Sequence, residues 1–253
     1  MMSDTRIIHL DSVGSTSSYL ASLGDEATHG TAVMAREQTA GRGQRGNSWE
    51  AEPGMNVTLS LMLRPSGLHP GRQFVISQAV SLAIVEMLDR YLDDVSIKWP
   101  NDIYAGDRKI CGILIENAIT GTEINRCIVG IGLNVNQTVF RSDAPNPVSL
   151  LQLVPGSEFD IDTIAGTMVS AILERVNEAL TCDCSRIAEA YFARLWRRDG
   201  WHPYHDNLRD TDMTARIVSV APAGPITLID KADGTAREYA FKEISFTLDK
   251  HRL

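Results

Sequence analysis

Apolar positions along the chain fall into two rhythms, and the alternation between them predicts the elements. Ile7-Ile-His-Leu10 is strand-like, and Ser15 to Leu23 opens with hydroxyl residues suited to capping before an apolar periodicity, which predicts a short helix. A strand follows from Thr31 to Arg36. Beyond a polar, glycine-rich stretch, Val57, Leu59, Leu61 and Leu63 alternate with Thr58, Ser60 and Met62, predicting a strand with one buried face. From Gln73 to Leu92, Phe74, Val75, Val80, Ile84, Met87, Leu88 and Tyr91 spread around most of a helix with no Gly or Pro inside, as a core helix requires.

Further on, Val95 to Lys98 reads as a strand broken at Pro100. Ala105-Gly-Asp-Arg108 reads as a hairpin turn, and Ile110 to Glu116 and Ile124 to Asn134 as strands. After Pro145 and Pro147, helical patterns run from Ile161 to Leu180 and from Ser185 to Trp196. The expected class is α+β: a mixed, mostly antiparallel sheet with helices covering one side. Beyond about Asp210 the pattern turns to short β segments, Thr214 to Val220, Ile226 to Asp230 and Arg237 to Phe241. Turn signals at Pro222-Ala-Gly-Pro225 and Asp233-Gly234 separate them. This predicts a small C-terminal β-barrel, dividing the chain into residues 1–208 and 209–253.

A 253-residue chain with 43% apolar content can build a substantial core without covalent staples. Cys111, Cys127, Cys182 and Cys184 show no paired CxxC spacing, so reduced thiols are expected, and Cys182-Asp-Cys184 lacks the second ligand pair of a zinc site. No apolar signal core follows the N-terminus and no run approaches the roughly 18 residues of a membrane span. A cytoplasmic protein with no membrane partner is expected. A formal charge of −8 opposes sequence-independent binding to nucleic acid. The longest basic run, Trp196-Arg197-Arg198, falls at a predicted helix end, where cations complement the dipole.

Four constellations have the composition of a binding site. In Thr39-Ala-Gly-Arg-Gly-Gln-Arg-Gly-Asn-Ser-Trp49, Gly41, Gly43 and Gly46 let backbone amides approach a ligand, and Arg42 and Arg45 suit bidentate anion binding. Its literal GxGxxG is followed by Pro53-Gly54 and a strand rather than a helix, and no Lys-Ser or Lys-Thr pair follows the last glycine. The dinucleotide and Walker readings therefore fail. Ordering about ten such residues costs on the order of 10–20 kcal/mol as an upper bound, so a loop mobile without ligand is expected. Lys98-Trp-Pro-Asn-Asp102 ends a strand and leaves Asn101 and Asp102 at the sheet's mouth. A strand followed by an Asx-type turn accounts for the Asn and Asp but not for the Lys-Trp. In Arg108-Lys109-Ile-Cys-Gly112, Lys109 opens an apolar strand, a position usually just solvated, and Gly112 permits close approach. Val129-Gly-Ile-Gly-Leu-Asn134 places Gly130 and Gly132 inside a buried strand, which implies either a β-bulge or a close neighbour.

Gly14-Ser-Thr-Ser17, Gln38-Thr-x-Gly-Arg-Gly-x-Arg-Gly-x-x-Trp49, Lys98-Trp-Pro-Asn-Asp102, Lys109-x-x-Gly-Ile-Leu114 and Gly130-x-Gly-x-Asn134, in that order, resemble the biotin protein ligases. The match runs from Ile7 to about Asn136. The resemblance implies a synthetase-like catalytic domain over 1–208 and an SH3-like barrel over 209–253. It also implies ATP with Mg²⁺, biotin as substrate, and the biotin carrier domain of a carboxylase as acceptor. On this resemblance Ser15, Thr16, Ser17 and Gln38 bind biotin's ureido ring or its surroundings, and Arg42, Gly43, Gln44 and Lys109 meet the carboxylate and phosphate end. Trp49 walls the pocket, and Gly41, Gly112 and Gly132 are further biotin- or adenylate-binding residues. Asn101, Asp102 and Asn134 are nucleotide, Mg²⁺ or positioning residues, and Asp102 is a candidate to orient or deprotonate the acceptor lysine.

Residue chemistry supports the same assignment, because adenylate formation needs no protein nucleophile, only an aimed carboxylate and cations such as Arg42, Arg45 and Lys109. Two departures stand out: Gln44 where the best-known members carry arginine, and Ser17 where Asn is frequent. With Gly14-Ser-Thr-Ser17 so near the start, no N-terminal helix-turn-helix and no repressor role are expected. A lipoate ligase or octanoyl transferase on the same scaffold is the nearest alternative, the transferase needing a cysteine nucleophile. A biotin-binding module without catalysis is the other. An exposed sheet edge leaves a homodimer open.

Overall fold

The computed structural model describes residues 6–43, 48–141, 146–181 and 184–247, with Cys184 described in its backbone only. Seven strands, β1 (Ile7–Val13), β2 (Ala32–Gln38), β3 (Val57–Leu63), β4 (Val95–Lys98), β5 (Asp102–Ala105), β6 (Arg108–Thr120) and β7 (Glu123–Leu133), form one sheet. Its spatial order is β1-β2-β3-β7-β6-β5-β4. The β1–β2 pair is parallel and the other pairs are antiparallel, so the mixed, mostly antiparallel sheet read from the pattern is present.

Helices α2 (Phe74–Leu88), α4 (Ile161–Thr181) and α5 (Cys184–Ala193) contribute to the main core with this sheet. Nearly every residue of α2 is buried, as its all-round apolar pattern demands. The expectation that helices cover one side needs correcting, because α1 (Thr16–Ser22) packs elsewhere: its Leu20 joins Val33, Met62 and Ile128 in a second, separate cluster. With apolar groups on both faces, β3 is buried along its whole length rather than on one face. Polar Thr58 and Ser60 therefore need partners inside, and Thr58 donates to the Ala35 carbonyl at 2.5 Å. A short α3 (Leu150–Leu153) is closed by a capping box between Ser149 and Gln152.

Strands β8 (His202–Asp206), β9 (Thr211–Val220), β10 (Ile226–Asp230), β11 (Ala236–Tyr239) and β12 (Ile244–Phe246) make an antiparallel sheet in the order β11-β10-β9-β8-β12. Buried Asp206 ties it together by accepting from Tyr239 Oη at 2.8 Å, from Arg209 Nη1 at 2.8 Å and from two backbone amides. Arg197 and Arg198 lie beyond the end of α5 rather than in its last turn. Arg197 donates to the Pro203 and Thr247 carbonyls, and Arg198 pairs with Asp199.

The two sheets meet at the Lys98-Trp99 pair. Trp99 Nε1 donates to the Gly224 carbonyl at 2.9 Å, and its ring lies 6.1 Å from Phe241 and 6.4 Å from Phe246. Phe246 also contacts Trp196 and Tyr204. Among the described residues no helix is long and apolar enough to cross a membrane.

Candidate active site

Strand register builds the site. Direct cross-strand partners run Thr58, Gly132, Gly112, Asp102, Lys98 across β3, β7, β6, β5 and β4, so these five residues share one face of the sheet. The next row is Ser60, Gly130, Leu114. Two glycines in one row and a third beside it leave a shallow floor under α1, and Trp49 lies against it. A Cβ on Gly132 would stand 2.2 Å from Trp49 Cε2, and one on Gly112 would stand 2.7 Å from Trp49 Cζ3. Register is regular through Gly130 and Gly132, so close approach rather than a β-bulge explains them. Beside the site an irregularity falls in β5–β6, where Asp102 opposes Gly112 but Tyr104 opposes Lys109. One residue of β6 drops out of the ladder there. Lys109, three residues from Gly112, thereby reaches the face that Asp102 occupies.

At one end of the floor stand hydroxyls and an amide. Ser15 is the N-cap residue of α1, yet its side chain makes no capping bond, contrary to the capping role read from the sequence. It lines the cavity instead. Gln38 Oε1 accepts from both the backbone N–H and Oγ1 of Thr16, at 2.8 and 3.0 Å. Ser60, fully buried, sits 2.8 Å from the Thr16 hydroxyl and 2.9 Å from that of Ser17. Sequence reasoning missed Ser60 because strand alternation reads a polar residue as solvent-facing. Its position two residues from Thr58 on the pocket side was the available signal.

At the other end stand charges. Lys109 Nζ lies 2.7 Å from Asp102 Oδ1, both side chains about one quarter exposed (23% and 27%), and 5.7 Å from the centroid of the Trp49 ring. Lysine here is paired rather than merely solvated. Arg42 Nη2 meets Glu116 Oε2 at 2.5 Å, with both side chains exposed. The glycine-rich loop is held at its base by an Arg42–Ser48 bridge and by the Trp49 N–H donating to the Gly41 carbonyl. Gln44 and Arg45 lie outside the described residues, as do Cys182 and the side chain of Cys184. Lys98 donates to Tyr104 Oη at 2.9 Å; burial pulls its pKa down, Asp102 opposing that and Lys109 and Arg197 adding to it.

Ser15, Thr16, Ser17, Gln38, Arg42, Gly43, Trp49, Asp102, Lys109, Gly112 and Gly132 thus converge on one cavity of about 60 Å³, with Gly130 and Leu114 beside them. Two predicted residues stand behind it. Asn101 is buried and donates to the Ile113 carbonyl at 2.6 Å, bracing β6. Asn134 is buried and donates to the Val148 carbonyl at 3.0 Å, with its Oδ1 unpartnered. Cys111 is fully buried and burial pushes its thiol far up, while the Cys127 thiol is pushed up to about 12; neither is an available nucleophile. Larger cavities lie elsewhere, but neither gathers this combination of hydroxyls, glycine floor and cations.

A floor of glycines with hydroxyl and amide groups at one end and a Lys–Asp pair at the other suits a ligand with a polar head and a reacting acid. Residues 11–134 match the model of the Biotin/lipoate A/B protein ligase family. Over 208 residues the chain is 30% identical to the biotin acetyl-CoA-carboxylase ligase of Paracoccus denitrificans, covering 76% of this chain and 85% of that protein. The chain belongs to this ligase family. Several similar proteins are biotin ligases. One is the bifunctional ligase/repressor BirA of Escherichia coli, 30% identical over 62% of this chain and 49% of that protein. The chain spans about half the length of that relative and of its Salmonella typhimurium counterpart, also matched over 49%. Two solved structures share the fold. The biotin protein ligase from Aquifex aeolicus in complex with biotin and ATP has a TM-score of 0.78 at 22% identity, over 95% of this chain and 97% of that one. The Leishmania major ligase in complex with biotinyl-5-AMP has a TM-score of 0.64 at 20% identity, over 93% and 98%.

Proposed function

We propose that this chain is a biotin protein ligase. Biotin's carboxylate oxygen attacks the α-phosphorus of ATP, and the bond to the β-phosphate oxygen breaks to release pyrophosphate. A carrier-domain lysine, as its free amine, then attacks the acyl carbon. The bond to AMP breaks and the amine's proton departs.

The observation that carries this reading is the convergence, in one cavity, of Ser15, Thr16, Ser17 and Gln38 with the Lys109–Asp102 pair across a glycine floor. Hydroxyl and amide groups match both the carbonyl oxygen and the N–H groups of a ureido ring. Lys109, with Arg42, supplies positive charge where charge builds on the carboxylate and phosphoryl oxygens. Arg42 would exchange Glu116 for ligand. Gln44 and Arg45 belong to the same loop by sequence. Asn101 and Asn134 act from behind the floor as positioning residues.

Among the described residues no cluster of three or more His, Cys, Asp or Glu side chains surrounds a metal position. Asp102, at the charged end of the cavity, would suit a Mg²⁺ ion carried mainly by phosphate oxygens and water. The ion would neutralise phosphate charge. Asp102 orients the incoming amine or takes its proton, so Asp102→Asn should slow transfer from preformed adenylate; transfer at the normal rate would remove that role. The formal charge of −8 supports a ligase without a DNA partner.

Mass spectrometry of a biotin carrier domain after incubation with the chain, biotin, ATP and Mg²⁺ tests the reading. One biotinyl addition on one lysine, absent without ATP, is expected. Lipoyl addition from lipoate in its place would assign the chain to the sister activity, and biotin binding without modification would make it a binding module.

A further inference from the structure

Lys98 occupies a place that an aliphatic side chain would fill more cheaply. Its ammonium lies 5.0 Å from the ring centroid of Tyr104, 5.9 Å from that of Trp196 and 5.8 Å from that of Phe246, with the Tyr104 hydroxyl at 2.9 Å. Moving an ammonium from water into such a box carries a desolvation penalty that cation–π contacts only partly offset. The charge therefore has a use beyond packing.

Register shows what lies beside that residue. Lys98 is the direct cross-strand partner of Asp102, at the end of the row that begins with Thr58 and passes over the glycines. Asp102 also holds Lys109 at 2.7 Å. Asp102, only 27% exposed, thus has one cation paired to it and a second, Lys98, on the neighbouring strand of the same row. When Lys109 turns toward a reacting carboxylate or phosphoryl oxygen, Asp102 loses its close partner in a half-buried setting. That loss would cancel much of what the new contact gains, unless a second ammonium remains.

We propose that Lys98 is a positioning residue that keeps the Asp102 carboxylate compensated while Lys109 leaves it to serve the reacting groups. The aromatic box, closed from the C-terminal sheet by Phe246, fixes Lys98 for this task. The inference rests on the ligase reading above, because it assigns Lys109 to the reacting groups.

Lys98→Met fills the box without charge, and Lys98→Arg keeps the charge. In biotin-dependent pyrophosphate exchange, Lys98→Met should lower kcat about tenfold with the KM for biotin within about twofold of wild type, and Lys98→Arg should recover part of the loss. Introduced on top of Asp102→Asn, Lys98→Met should cost less than about twofold more, since no carboxylate remains to compensate. Wild type, Lys98→Met, Asp102→Asn and the double variant are also unfolded in urea, where the cost of Lys98→Met should likewise depend on whether Asp102 is present. An equal cost in both backgrounds, or a rise in KM at unchanged kcat, overturns the proposal. Absence of exchange by the wild-type chain would count against the ligase reading. The unfolding set would then decide the Lys98–Asp102 coupling by itself.

Discussion

Replacing Gly132 with alanine adds one methyl group at the most crowded point of the pocket floor. That Cβ would stand 2.2 Å from Trp49 Cε2 and 2.5 Å from Cζ2 and Nε1, against roughly 3.5–4.0 Å for an ordinary carbon contact. β7 is hydrogen-bonded on both sides, by β3 and β6, so the backbone cannot retreat. The indole must move by about 1.5 Å, toward the cavity it lines. Overpacking of this kind costs about 1–3 kcal/mol. A Gly-to-Ala change also restricts the unfolded chain, returning about 0.4–1 kcal/mol. Net destabilisation should stay near or below about 2 kcal/mol, so the variant folds. Biotin affinity should drop about tenfold to a hundredfold, at 1.4 kcal/mol per decade, because the displaced ring takes ligand space. Calorimetric titration with biotin reads the affinity, and urea unfolding reads the stability. Gly112→Ala, with its Cβ 2.7 Å from Trp49 Cζ3, should lose less, and Gly130→Ala should disturb the Ser17 hydroxyl at 3.1 Å rather than the indole. Adding Gly132→Ala to Trp49→Ala should cost nothing further. Wild-type biotin affinity in Gly132→Ala, or an equal loss with and without the indole, refutes the reasoning.

Lys109→Ala should lower pyrophosphate exchange about tenfold to a few hundredfold, the equivalent of one charge-assisted hydrogen bond of roughly 1.5–3 kcal/mol; full exchange would remove its role. Gln44→Arg should hold biotinyl-adenylate longer than wild type in a pulse-chase release assay, and equal retention would show that the missing cation is without effect. His205 has its pKa raised, first by the hydrogen bond to Asp212 at 2.8 Å, with Asp210 adding to it. A raised folded value places its stabilisation fully below the ordinary histidine value of 6.5, and that stabilisation is lost as pH rises through the folded value. His205→Gln should therefore unfold at lower urea than wild type in mild acid and match it in mild alkali; a gap that does not change with pH would contradict this.

Local rules made much of the fold legible. The all-round apolar pattern gave α2, Ala105-Gly-Asp-Arg108 gave the β5–β6 turn, and glycine clusters marked where a neighbour approaches the sheet. Long-range facts were not legible. Nothing in the alternation of Thr58 and Ser60 with leucines says that α1 will cover their face, so the pattern of a half-exposed strand belongs to a fully buried one. Strand β8 carries two His, a Pro and an Asp and β12 is only three residues long, so neither reads as a strand alone; β8 pairs with β9, and β12 with β8. Most predicted site residues meet in one cavity because their motifs fall on adjacent strands or beside them. Ser60, Glu116, Lys98 and Tyr104 were missed as partners because each acts through a contact distant in sequence or across strands. The Lys98-Trp99 pair, unexplained by a turn, proved to be the contact between the two sheets.

That contact bears on the order in which the protein is made. Phe246, the last ring of the box around Lys98, leaves the ribosome almost 150 residues after Lys98 itself. Pocket hydroxyls, glycine floor and Lys109 are all synthesised early and can assemble on the nascent chain, but the charged end of the row waits for synthesis to reach β12. A chain still attached to the ribosome should therefore acquire biotin binding before it acquires full adenylation. Synthesis of β12, rather than closure of the first sheet, would set the moment at which the proposed adenylation becomes possible.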